Sequence, residues 1–135
     1  MELRSVDAPR ERPAPTGFRG RNAAGDEVTH AFSRATVVVA VKPHCDGCRD
    51  FVSGAVDLGD VDVVVVAAAE DDAWGEARGV VIAPELWRDL DIRSAPFFVL
   101  IDPARSLVTY EGSAFSAAQV AAEIAGHLRS RPDPT

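Results

Sequence analysis

The chain has 135 residues, of which 47% are hydrophobic and 26% charged, a formal net charge of −7 and two cysteines. That is one globular domain, long enough to bury a core without disulfide staples, and its acidic balance, with Lys42 the only lysine, excludes the clustered basic face that nucleic acid requires. No stretch approaches the length of a membrane-spanning helix and the first fifteen residues lack the apolar core of a signal peptide, so the sequence as written predicts a cytoplasmic chain, or an extracytoplasmic one if a signal or anchor has been removed.

In chain order, residues 1–15 carry Pro9, Pro13 and Pro15 among charged residues without periodicity and read as a flexible leader. The domain is predicted over 16–129 and a flexible tail over 130–135. Gly17 to Phe32 predicts a hairpin turning at Asn22-Ala23-Ala24-Gly25-Asp26, with Phe18, Val28 and Phe32 inward. Residues 36–42 form a near-continuous β-branched run, a strand buried on both faces. After it, Arg49 to Val56 is helical, with Cys48, Phe51, Val52 and Val56 on one face. Residues 60–67 predict a second buried strand, and the two strands joined by a helix make a right-handed βαβ unit.

Glu70 to Arg78 reads as a short acidic helix or a loop carrying Trp74, a residue for packing rather than a substrate platform. Val80 to Ile82 is a brief strand, and Pro84 opens a helix with Leu86, Trp87 and Leu90 on one side. Phe97 to Ile101 is a third strong strand, and Leu107 to Tyr110 returns antiparallel to it after the turn at Asp102-Pro103-Ala104-Arg105. Ser116 and Gln119 form a capping box at the start of the last helix, and Phe115 with Val120 occupy the positions of a hydrophobic staple. Val120, Ile124 and Leu128 line the predicted buried side of that helix.

Both cysteines lie in Cys45-Asp46-Gly47-Cys48, directly after the first buried strand. A C-x-x-C between a strand and a helix is suited to thiol-disulfide exchange: the helix start favours the Cys45 thiolate, the attacking species, and a second thiol three residues on closes the ring. A structural disulfide is a poor explanation, because so short a loop removes little unfolded-state entropy. A metal site is disfavoured, since only Cys45, Cys48 and His44 are close in sequence while His30 and His127 lie far away. No cofactor is implied.

The order of elements resembles the thioredoxin superfamily, and three segments carry the resemblance: Cys45-Asp46-Gly47-Cys48, Ile92-Arg93-Ser94-Ala95-Pro96 before the Phe97 strand, and Glu111-Gly112 after the hairpin strand that follows. The extra N-terminal hairpin is similar to the TlpA/ResA-type branch over residues 13–128. The resemblance implies an α/β fold, a thioredoxin-like three-layer α/β/α sandwich with a mixed central sheet and an added N-terminal β-hairpin. It also implies a thiol-disulfide oxidoreductase in which Cys45 attacks, Cys48 resolves, and a cis Pro96 faces the pair.

Ala95 and Pro96 would shape the substrate groove, with a protein or small-molecule disulfide or thiol as substrate and a reductase or oxidase to recycle the site. Relatives of that branch are usually exported or tethered, whereas this sequence shows no export signal. The chain is expected to be a monomer. A peroxiredoxin is disfavoured because Lys42 stands where that family has threonine.

The sequence departs from the thioredoxin pattern where it carries His44 before the first cysteine, an Asp-Gly dipeptide between the cysteines, and Val39 in place of a buried acid. A protonated His44 favours the Cys45 thiolate and the Asp46 charge opposes it. Without the buried acid, deprotonation of Cys48 falls to His44, Lys42 or water. The alternative reading is a redox-responsive binding module with the same fold and no turnover.

Overall fold

A computed structural model describes residues 12–44, 48–52, 58–74 and 79–130. One eight-stranded sheet runs through the described residues in the order β1-β8-β7-β4-β5-β6-β2-β3. Its strands are β1 (Arg12–Pro13), β2 (Gly17–Asn22), β3 (Glu27–Ala31), β4 (Thr36–Val41), β5 (Asp62–Ala67), β6 (Val80–Ile82), β7 (Phe97–Asp102) and β8 (Leu107–Ser113). Among the described residues the α-helices are α1 (Arg49–Val52), α2 (Pro84–Asp89) and α3 (Ala117–Ser130).

At the centre, β4 pairs in parallel with β5 and antiparallel with β7, and all six of its residues are buried. Alternation along the strand sends Val37, Val39 and Val41 into one core layer and Val38 and Ala40 into the other. The first layer meets Phe51 of α1 and Val120 and Ile124 of α3; the second meets Leu86 of α2 and Leu90 just beyond it. Helices on both faces explain the unbroken valine run, since neither side of β4 has solvent to face. The result is a mixed central sheet between two helical layers.

The N-terminal hairpin adds β2 and β3 to this sheet through antiparallel pairing of β2 with β6. Its turn is held by Asn22 Oδ1, which accepts from the Ala24 and Asp26 backbone N–H groups at 3.0 and 2.9 Å. Phe18, His30 and Phe32 form a ring cluster with centroids 5.5–5.8 Å apart, so Phe18 and Phe32 turn inward as predicted. Gly20 is dictated by the junction: a Cβ there would lie 2.5 Å from Ile82 O.

Several boundaries differ from the sequence reading. Residues 12–15 do not belong to a leader, because β1 pairs with β8 at Arg12↔Val108 and Pro13↔Leu107, and Ala14 N–H donates to Ser106 O at 2.9 Å. An ion pair of Arg12 Nη2 with Glu111 Oε1, 2.6 Å long and half-buried, fastens it. β8 extends to Ser113 rather than Tyr110 and carries a bulge: Leu100 faces Tyr110 while Ile101 faces Val108, which leaves Thr109 as the extra residue.

The capping box forms, with Gln119 N–H donating to Ser116 Oγ at 3.0 Å and Gln119 Oε1 accepting from Ser116 N–H at 3.3 Å. The staple does not, for Phe115 is 71% exposed while Val120 is fully buried. Gln119 Oε1 also takes the Phe115 N–H at 2.6 Å, and the side chain points to solvent. Leu128 is 38% exposed instead of lining the core, because the packed stripe of α3 ends at Ile124. Val56 lies outside the described residues.

Candidate active site

The site grows from the end of β4. Val41 is buried, and Lys42 and His44, which follow, are exposed. His44 adopts a left-handed backbone conformation, φ 58°, which is uncommon for a residue with a side chain and turns the chain sharply before the cysteines. Cys45, Asp46 and Gly47 lie outside the described residues.

Cys48 returns the chain to the core. It is 2% exposed and belongs to the layer containing Val39, Val41, Phe51 and Phe98. Its sulfur accepts a hydrogen bond from the Lys42 backbone N–H at 3.4 Å. Val39 is fully enclosed in this apolar layer.

The register between β4 and β7 brings the second segment to the same place. Ala40 faces Phe97, so Pro96 stands level with Val41, one step from the amide that reaches Cys48. The Ala95–Pro96 peptide bond is cis. Pro96 O accepts from Ala114 N–H at 3.2 Å, which ties the loop to the end of β8, and Ile92, 7% exposed, anchors its other side through an N–H donated to Trp87 O at 2.9 Å. Between these anchors Ala95 and Pro96 are half-buried, and neither the N–H nor the carbonyl of Ala95 has a hydrogen-bond partner among the described residues.

Of the sequence-predicted site residues, then, Lys42, His44, Cys48, Ala95 and Pro96 gather at one end of the sheet, while Cys45 and Asp46 fall on undescribed positions. Lys42, expected as one of the groups that could deprotonate Cys48, meets the sulfur through its main-chain N–H. Side-chain chemistry carries no signal for that.

The parallel strands β5 and β6 end at the same level, with Val41 facing Ala67 and Ala67 facing Ile82. The acidic run after β5 is exposed at Glu70, Asp71 and Asp72, and Glu70 pairs with Arg21 at 2.8 Å. Trp74 is buried and its indole N–H donates to Ala69 O at 3.0 Å, a packing role. His30 sits among the hairpin aromatics, and His127 stacks on Tyr110 far along α3. Among the described residues no group of three or more His, Cys, Asp or Glu side chains converges to hold a metal ion. Nor is any helix among them long and apolar enough to cross a membrane.

No protein-family model matches the sequence, and no curated protein matches it. Solved structures do. A structure of DsbF from MTB, in mixed oxidised and reduced forms, is similar at 16% identity and a TM-score of 0.61, over 84% of this chain and 98% of that one. A thiol:disulfide interchange protein of the thioredoxin family from Chlorobium tepidum is similar at 22% identity and a TM-score of 0.60, over 88% and 97%. A mitochondrial 2-Cys peroxiredoxin from Plasmodium falciparum reaches a TM-score of 0.61 at 8% identity, over 92% and 98%. These likenesses establish a thioredoxin-like α/β fold. Because the peroxiredoxin overlays as well as the others, chemistry must be argued from the site.

Proposed function

We propose that the chain is a thiol-disulfide oxidoreductase working through Cys45 and Cys48. The observation that carries this reading is the convergence of Cys48, buried at the end of β4, with the Ala95–Pro96 segment at the start of β7. A structural thiol needs no such neighbour; an exchange site needs a surface on which a second chain's disulfide can lie.

Cys45 attacks one sulfur of the substrate disulfide as a thiolate, the substrate S–S bond breaks, and the departing sulfur takes a proton from water. Cys48 then attacks the Cys45 sulfur, releases the second substrate thiolate and leaves a Cys45–Cys48 disulfide. Two electrons have passed to the substrate, and an external dithiol restores the pair. Ala95, small and with both main-chain groups open among the described residues, pairs with an extended substrate segment as an added strand.

The test is reduction of insulin with dithiothreitol as electron donor. The wild type accelerates it, Cys45→Ser does not, and Cys48→Ser accumulates a mixed disulfide visible by intact mass. A wild type that gives no acceleration at any tested ratio removes the enzyme reading and leaves the redox-responsive binding module.

A further inference from the structure

We infer that the backbone amide of Lys42 stabilises Cys48 as a thiolate when it resolves the mixed disulfide. The inference rests on the exchange reading given above. It starts from a chemical difficulty: Cys48 is 2% exposed in a layer of Val39, Val41, Phe51 and Phe98, and apolar burial disfavours the charged sulfur needed for attack. Val39 offers no carboxylate to accept the proton. Lys42 and His44, which precede Cys48, are both exposed, and the side chains of Asp46, Arg49 and Asp50 lie outside the description.

The Lys42 N–H meets the difficulty directly, because it reaches Cys48 Sγ at 3.4 Å. A donor fixed in the main chain strengthens when its acceptor becomes an anion, so the bond favours the thiolate over the thiol. It is also placed by the fold: β4 ends at Val41, and the next amide has left the ladder and turned to the sulfur. In the resolving step the proton of Cys48 passes to water, its thiolate attacks Cys45 Sγ, the bond from Cys45 to the substrate sulfur breaks, and the substrate leaves as a thiolate. Lys42 donates no proton and is a positioning residue.

The test uses the full chain with Cys45→Ser, so that Cys48 is the only thiol. Thiolate absorbance at 240 nm is followed against pH beside the Lys42 amide cross-peak in a ¹H–¹⁵N spectrum. The expected result is a downfield movement of that cross-peak with the same midpoint as the absorbance. Adding Lys42→Pro, which deletes the N–H, lowers the thiolate-to-thiol ratio at a given pH about tenfold, as loss of a charge-assisted hydrogen bond should, whereas Lys42→Ala, which keeps the N–H, leaves the midpoint in place. A Lys42 amide that stays still while Cys48 ionises overturns the inference, even if Lys42→Pro fails to fold. The titration is independent of turnover: an inactive wild type in which the amide follows the sulfur sinks the exchange reading and keeps the hydrogen bond, and an active one in which it does not sinks only the role of Lys42.

Discussion

Tyr110 lies stacked on His127 with ring centroids 4.7 Å apart, while its hydroxyl donates to Glu123 Oε1 at 3.1 Å. The pair ties β8 to α3. Burial, followed by the Glu123 hydrogen bond and the Glu123 charge, raises the Tyr110 pKa above its ordinary value of 10.0.

Since this is the only tyrosine in the chain, absorbance at 295 nm reports it alone. Its ionisation should begin later than that of free tyrosine, and Glu123→Gln should bring it part of the way back, leaving the burial contribution. The neutral form is the one the fold favours. The associated stability is therefore complete below pH 10 and is lost as pH rises through the raised folded value, which denaturant midpoints measured across alkaline pH will show.

Replacing His44 should leave disulfide reduction measurable. Loss of a positioned acid or base costs at least about 100-fold, and His44→Asn, which tolerates the same left-handed backbone, should fall short of that in the insulin assay. A folded variant as inactive as Cys45→Ser would make the imidazole an obligatory participant.

The start of α3 offers a paired test of capping. Ser116→Ala removes the acceptor of the Gln119 N–H and should cost about 1 kcal/mol in chemical denaturation. Phe115→Ser, one residue earlier, should change stability by less than about 0.5 kcal/mol, because the ring is already in solvent.

Gly20→Ala should destabilise by about 1–3 kcal/mol. The added methyl would sit 2.5 Å from Ile82 O and 2.7 Å from Val81 Cγ1, forcing β2 away from β6. If urea midpoints are unchanged, the hairpin does not dock as described.

Local chemistry made much of this legible in the sequence. The valine run of β4 declares two-sided burial by itself, and Ser116 with Gln119 declares a helix start, because each signal is complete within a few residues. Phe115 and Leu128 misled for one shared reason: whether an apolar residue at a helix end packs depends on what another part of the chain places over it. The amide contact from Lys42 to Cys48 depends on where β4 stops and how the loop returns, and β1 depends on a partner strand near the other end of the chain. Neither leaves a local pattern. The neighbourhood of Cys48 and Pro96 was visible only through resemblance, since it arises from strand register.

The two rims of the sheet bear on colloidal behaviour. β1 and β3 are its outermost strands among the described residues, and an open strand edge invites further chains to add on. On one rim stands Pro13, which has no N–H to offer an incoming strand, beside the ion-paired Arg12. On the other, Glu27 and Thr29 of β3 are exposed, and the Glu27 carboxylate forms an ion pair with Arg19 at 3.4 Å. A charged, proline-guarded perimeter of this kind discourages fibrillar stacking of whole domains, while the main-chain groups of Ala95, which have no hydrogen-bond partner among the described residues, lie away from both rims at the strand ends.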